Sequence, residues 1–460
     1  MSDEDIAEGV RDDEMSGPDS RRVAAVIEAI DAKDKDRLDA LLEPLHAADI
    51  ADVLEQISAP ERRDLLQLWS REIDGEILSE IDESIREEVV ESLSPEVLSE
   101  AVRELDTDDV VDILEDLDEP QQELILDALD DADRVAVEQA MAFPEYSAGR
   151  LMQRETVIAP DDWTVGAAID YLRGADWLPD QFYHVILVDP RMKPLANVTL
   201  GRILSAKRDT RLRDIAEEVF RTIRATEPES EVAYLFNQYH LISAPVVDEA
   251  DRLVGVITID DAMNVLDEEH EEDILRLAGV GEGSLSDNWI ETTKQRFPWL
   301  FVNLLTAILA SGVISLFEGT LSKIVALAVL MPIVASQGGN AATQGLAVAV
   351  RALATKSLTN SNAFRVVLRE IAQGLANGLA FAILIGAVTW YWFGLPMIGV
   401  VIGLAMIINM FAAALAGLLI PLGLEKLGFD PALASGAFVT TVTDVVGFFS
   451  FLWLAGLILL

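Results

Sequence analysis

Cysteine is absent from the 460 residues, which excludes disulfides and thiolate metal centres and leaves the redox compartment unread. Histidine is scarce, with His46, His184, His240 and His270 scattered along the chain. No nucleophile and base stand in a recognisable arrangement, so catalysis is not expected. His184 and His240 fall in or beside strand-like runs and read as packing or hydrogen-bonding residues rather than metal ligands. Lysine supplies only 8 of the 34 basic residues, and on so acidic a chain no nucleic-acid partner is expected. The first fifteen residues lack the basic and apolar character of a secretory signal, so the soluble part is expected to stay where it is made.

Charge is itself missing from one part of the chain. Residues 290–460 hold 6 acidic and 8 basic residues, whereas residues 1–289 hold 73 and 26, so the net charge of −45 belongs to the first part alone. The poorly charged part contains five runs near the ~20 apolar residues that cross a bilayer, drawn at about 298–317, 324–350, 371–393, 397–422 and 432–460. With the N-terminus in the cytoplasm, Lys294, Arg296, Arg351, Lys356, Arg365, Arg369 and Lys426 fall inside and only Lys323 outside, the bias of the positive-inside rule. The expectation is a multi-pass protein of the cell (inner) membrane with its C-terminus outside. Trp390, Tyr391 and Trp392 stand at a span end and read as interfacial anchors.

Within the last run stands Asp444, beside Thr440, Thr441 and Thr443. An ionisable residue at that depth is costly and marks an ion path by default. Counted from Ala432, it lies about 18 Å along a helix, near mid-membrane. The alternative is a protonated carboxyl bonded to Thr441 or to a carbonyl as a packing element. In the second run, Pro332 removes a backbone donor and Gly338-Gly339 loosens the helix, which frees carbonyls that must line a watery cavity or find partners. Asn340, Thr343 and Gln344 add oxygens nearby. Such a set suits a hydrated ion. The pairs Gly374/Gly378 and Gly399/Gly403 are expected to serve helix packing.

The soluble part divides in turn. Residues 1–18 read as an acidic disordered tail and residues 19–145 as an all-α helical domain. There Leu45, Asp49, Ile50, Asp52, Val53, Leu54, Glu55, Ile57 and Pro60 return sixty residues on as Leu105, Asp109, Val110, Asp112, Ile113, Leu114, Glu115, Leu117 and Pro120, the mark of a solenoid. Residues 146–262 alternate strand-like and helical runs and resemble a tandem cystathionine β-synthase (CBS) pair. The second copy carries Ala244-Pro245-Val246-Val247-Asp248 and then Gly255-Val256-Ile257-Thr258-Ile259-Asp260-Asp261. By that resemblance Gly255, Thr258 and Asp261 hold an adenosine nucleotide such as ATP; equally, Gly255 makes a turn while Thr258 and Asp261 cap the next helix. The first copy lacks the glycine and has Arg202 in place of the acid, so at most one nucleotide per chain is expected. Residues 263–289 form an acidic linking helix and linker. Asp267, Glu268, Glu269, Glu271, Glu272 and Asp273 crowd the helix, and Gly279, Gly281 and Gly283 end it. Such crowding disfavours an isolated helix unless a counter-ion relieves it.

The order of these parts, with Pro332-Ile333-Val334-Ala335-Ser336-Gln337-Gly338-Gly339-Asn340, Asp430-Pro431-Ala432-Leu433 and Thr443-Asp444-Val445, resembles the MgtE family of magnesium transporters. The resemblance implies a homodimer in the bilayer with two copies of Asp444 on one axis, a backbone oxygen from Thr440, and Gly338, Gly339 and Asn340 in the pore. It further implies that cytoplasmic Mg²⁺ bridges Asp108, Asp112, Asp261, Glu269, Glu272 and Asp273 and so closes the path; Asn264 stands where an acid is expected. The reading is a Mg²⁺-selective channel or channel-like transporter for uptake driven by the membrane potential. The alternatives are a broader Co²⁺ or Mn²⁺ transporter and a CBS-regulated secondary transporter of another solute. The acid excess has a competing explanation in adaptation to high salt.

Overall fold

In the computed structural model the described residues are 20–460, except 70–72, 104, 116, 176, 180, 279, 281–288 and 360. The expected tail at 1–18 and the helix-ending Gly279, Gly281 and Gly283 lie outside them. The chain forms two compact units that divide between Asp267 and Glu268.

The first unit begins with short helices: α1 (Ser20–Ala32), α2 (Lys35–Leu42), α3 (Ala47–Gln56), α4 (Ala59–Trp69), α5 (Gly75–Ser79), α6 (Glu83–Ser92), α7 (Pro95–Val102), α8 (Thr107–Glu115), α9 (Glu119–Leu126) and α10 (Asp131–Met141). Acidic side chains start several of them. Asp34, Asp74, Asp82 and Asp118 each accept a bond from a backbone N–H one turn into the helix they precede, which satisfies an orphan donor and suits the positive end of the helix dipole. Part of the negative charge therefore serves folding. The sixty-residue repeat is α3 against α8: Ile50, Val53 and Leu54 are buried in one, Val110, Ile113 and Leu114 in the other. It extends beyond what the sequence comparison reached. Arg62 donates to the carbonyls of Leu54 and Ile57 at 2.9 and 3.2 Å, and Gln122, sixty residues on, donates to Leu114 and Leu117, both at 2.9 Å. Each side chain ties off carbonyls that the helix end leaves unpaired.

The rest of this unit carries two three-stranded sheets of the same design. In one, β1 (Ile158–Pro160) runs parallel to β2 (His184–Val188), which pairs antiparallel with β3 (Pro194–Thr199). In the other, β4 (Ile223–Arg224) runs parallel to β5 (Ser243–Val247), which pairs antiparallel with β6 (Leu253–Thr258). The register shifts at the matching point in both, between Leu187 and Val188 and between Val246 and Val247. Helices α11 (Val165–Arg173), α12 (Leu200–Ser205) and α13 (Glu229–Tyr239) pack on these sheets. The CBS pair is thus a structural duplication. Helix α14 (Ile259–Leu277) follows β6 directly.

The second unit holds α15 (Trp289–Ser315), α16 (Glu318–Lys323), α17 (Ala326–Ala354), α18 (Ala363–Phe393), α19 (Pro396–Lys426) and α20 (Pro431–Leu459). Among the described residues four helices are long and apolar enough to cross a membrane, at Thr292–Ser315, Ala363–Phe393, Pro396–Lys426 and Gly436–Leu459. The remaining run drawn from the sequence is α17, 29 residues long, whose polar stretch from Ser336 to Asn340 dilutes its apolar character. Helix α19 lies at the centre, packed on α17, α18 and α20. The α18–α19 seam is built on glycine: a Cβ on Gly399 would stand 2.6 Å from the Gly386 carbonyl oxygen, and one on Gly374 would stand 2.7 Å from the Ala414 Cβ. Packing is therefore the role of these glycines, as expected from sequence. Helix α17 continues unbroken through Pro332 and Gly338-Gly339, so the looseness anticipated there is absent.

Candidate functional site

Asp444 sits half-buried on α20, a helix whose only other acid nearby is its N-cap, Asp430. The neighbouring hydroxyls are spent on their own helix. Thr440 Oγ1 donates to Gly436 and Ala437, Thr441 to Ala437, and Thr443 to Thr440 at 2.9 Å. No hydrogen bond or ion pair among the described residues engages the Asp444 carboxylate. The pairing with Thr441 that would make it a packing element does not form. The Thr440 carbonyl, inside the helix, accepts the backbone N–H one turn on and also the Thr443 hydroxyl, so both of its lone pairs are engaged.

The expected pore residues of α17 separate. A Cβ on Gly339 would meet nothing within 4 Å, and Asn340 is exposed. Gly338 is buried, and a Cβ there would lie 2.1 Å from Nδ2 of Asn409 on α19. The Cα face of Gly338 is therefore a helix contact.

In the first unit the N-terminus of α8 and the start of α14 form an acidic cluster. Burial, then the nearby Asp261, Asp109 and Asp106, hold the Asp108 carboxyl well above the usual carboxylate range. Asp109 is pushed up to about 7 by burial and by Asp261, Asp106, Asp112 and Asp260. Asp261 also rises to about 7, chiefly through burial, against the lowering effect of the Thr258 hydroxyl. Asp109 was not singled out from the sequence; its signal was the Asp108-Asp109 pair at a helix start. Asp112 stands apart from this group in another respect: it pairs with the buried guanidinium of Arg86 at 3.0 Å. Around the cluster, Thr107 Oγ1 donates to Glu155 at 2.7 Å and Gln153 Nε2 to Asp106 at 3.2 Å.

The second unit gathers Glu269, Glu272 and Asp273 of α14 with Asp430. Arg276 bridges Glu272 at 2.7 Å and Asp430 at 3.1 Å. Glu269 and Asp273 are both raised, mainly by burial and then by neighbouring acids, while Arg276 opposes the rise. The chain thus carries its own counter-ion here, which the crowding argument had not supplied. Among the described residues no three His, Asp or Glu side chains converge closely enough to chelate a metal.

Of the structural roles that competed with binding, the Thr258–Asp261 cap forms, whereas Gly255 lies inside β6 opposite Val246 rather than in a turn. Thr258 Oγ1 donates to Asp261 Oδ2 at 2.6 Å, and a Cβ on Gly255 would fall 2.6 Å from the Met152 sulfur and 2.7 Å from the Gln153 carbonyl oxygen. In the first copy, Arg202 donates to the Ile215 and Ala216 carbonyls and pairs with Glu217 at 3.1 Å. His184 Nδ1 lies 2.6 Å from Ser243 Oγ, a hydrogen-bonding role as expected.

Residues 331–454 match the family described as "Divalent cation transporter", residues 45–146 the "MgtE intracellular N domain" and residues 212–268 the "CBS domain". The chain is 34% identical over 310 residues to the magnesium transporter MgtE of Enterococcus faecalis, covering 67% of this chain and 68% of that one. It is 34% identical over 330 residues to the magnesium transporter MgtE of Thermus thermophilus, covering 71% and 73%. A solved structure described as the cytosolic domain of the Mg²⁺ channel MgtE in complex with ATP is 30% identical, with a TM-score of 0.49, over 53% of this chain and 99% of that one. With matching membrane, N-terminal and CBS parts, the chain belongs to the MgtE family of magnesium transporters.

Proposed function

We propose that the protein is a Mg²⁺-selective channel or channel-like transporter, working as a homodimer with its soluble part in the cytoplasm and its C-terminus outside. The observation that carries this reading is the carboxylate of Asp444, which has no partner among the described residues on a helix otherwise apolar. Two copies on a dimer axis would supply about two negative charges to one divalent cation that keeps most of its water. The exposed Asn340 side chain is the neutral oxygen proposed to accompany it, beside the open flank at Gly339; the Thr440 carbonyl joins only if the Thr443 hydroxyl turns away. Entry needs no pump: the field contributes about 2.3 kcal/mol per charge per 100 mV, or about 4.6 kcal/mol for a dication.

Downhill flow needs a gate. The Asp108, Asp109 and Asp261 cluster and the Glu269, Glu272, Asp273 and Asp430 cluster are proposed to take cytoplasmic Mg²⁺ and to favour the closed state by differential affinity. Asp112 contributes only if it leaves Arg86. ATP at the second CBS copy is a separable proposal, resting on Gly255, Thr258 and Asp261; it requires the Thr258 cap to open, and calorimetric titration of ATP against Thr258→Ala tests it.

The decisive experiment is Mg²⁺ influx into liposomes holding the full chain. Asp444→Ala is expected to lower influx at least about tenfold, since hydrocarbon without a charge partner excludes the ion. Influx equal to that of the unaltered protein would sink the pore reading.

A further inference from the structure

Asn409 lies inside the membrane unit with no exposed surface, on the central helix α19. Its Nδ2 donates to the Val334 carbonyl of α17 at 2.8 Å. Its Oδ1 is buried and has no hydrogen-bonding partner among the described residues. Two glycines on different helices make room for the amide: a Cβ on Gly338 of α17 would stand 2.1 Å from Nδ2, and one on Gly447 of α20 would stand 2.8 Å from it. An amide in a helix bundle is worth little as glue compared with an apolar residue of equal size. A buried polar residue that leaves one of its atoms unsatisfied is therefore retained for something other than stability.

Its neighbours supply the reason. Val334 is one turn before Gly338, and Gly339 and Asn340 follow at once. Gly447 is three residues after Asp444 on α20. One amide thus meets both helices that carry the proposed ion-facing groups, at the turns next to those groups, through a backbone carbonyl and two glycines. Backbone cannot yield as a side chain can, so the amide sets how closely α17 and α20 approach α19.

We infer that Asn409 is a positioning residue for ion passage: it holds the Gly339-Asn340 turn of α17 and the Asp444 turn of α20 at the spacing a hydrated dication requires. The inference rests on the pore reading above. A packing role alone would be filled by Asn409→Leu, which keeps the volume and loses the donor. A positioning role would not.

The test measures Mg²⁺ and Co²⁺ influx into liposomes for the full chain, normalised to folded protein by elution and thermal midpoint. Asn409→Leu is expected to fold, to lose about tenfold or more in maximal Mg²⁺ influx, and to shift the Mg²⁺ to Co²⁺ ratio. Gly338→Ala, which displaces the amide from the other helix, is expected to do the same. Gly338→Ala combined with Asn409→Ser, a shorter donor, is expected to recover part of the influx. Normal influx and an unchanged ion ratio in folded Asn409→Leu overturn the inference. If Asn409→Leu does not fold, the glycine arms decide, and failure of the double variant to exceed Gly338→Ala overturns it. Asp444→Ala run in parallel separates the readings: if it conducts normally the pore reading falls, and if it is silent while Asn409→Leu conducts, only the positioning role falls.

Discussion

At the scale of single residues, the acidic cluster of the first unit titrates in a range where it can act. Asp109 and Asp261 stand at about 7 and Asp108 is also raised, against an unfolded value near 3.8. The folded form therefore holds more protons than the unfolded chain between the two values. The stability this contributes is full below the unfolded value and is lost as pH rises through about 7. In chelator, the thermal midpoint is expected to fall between about pH 4 and about pH 7 and to level off above that. Saturating Mg²⁺ should flatten that fall by replacing the lost protons as positive partners. Asp261→Asn should raise the midpoint at the alkaline end and weaken the Mg²⁺ response; scanning calorimetry at fixed ionic strength checks both. Asp108 was legible as a candidate because it begins a helix among other acids. Asp109 was passed over because sequence does not tell that burial reaches both of two adjacent carboxylates. Asp112 looked equivalent until Arg86, twenty-six residues away, was found beside it.

Among elements, the α18–α19 seam carries a sharp expectation. The Gly399 flank is closed by the backbone of Gly386, and neither side can move without shifting a whole helix. Gly399→Val is expected to cost about 1–3 kcal/mol through overpacking, read as a lower thermal midpoint in detergent; Gly339→Ala, where space is open, should leave it unchanged. The linking helix α14 offers another. Arg276→Ala removes the bridges to Glu272 and Asp430, each worth about 0–1 kcal/mol at such partial exposure. The larger effect is that the crowded acids lose their internal cation. Hydrogen exchange at residues 269–277 is expected to quicken in low Mg²⁺ and to return toward normal when Mg²⁺ is added. Sequence announced the crowding of this helix and not its relief, because the pairing with Asp430 joins positions 154 residues apart.

For the whole molecule, the net charge of −45 admits both self-repulsion and ion sensing, and solution conditions separate them. Screening by monovalent salt weakens repulsion over a Debye length of about 8–10 Å at moderate ionic strength. The thermal midpoint is thus expected to climb with KCl. If the acids also bind Mg²⁺ at sites, MgCl₂ at matched ionic strength should protect the soluble part from proteolysis further than KCl does. Equal protection by the two salts would leave only the solubility role. Capping accounts for a share of the acids on neither ground, since Asp34, Asp74, Asp82 and Asp118 are fixed to helix starts.

Sequence alone determined what depends on neighbours along the chain and on bulk solvation: the split between an acidic soluble part and a membrane part, the helical solenoid, the CBS duplication and the exceptional acid at Asp444. Those features follow from hydrophobic periodicity and from the cost of charge in hydrocarbon. Tertiary structure decided what depends on partners distant in the chain: that Gly338 faces Asn409, that Asp112 is held by Arg86, that α17 stays helical through Pro332, and that Arg276 answers Asp430. A hydrogen bond or a close backbone approach acts only over a few ångströms, and no local pattern records which remote atom will arrive there.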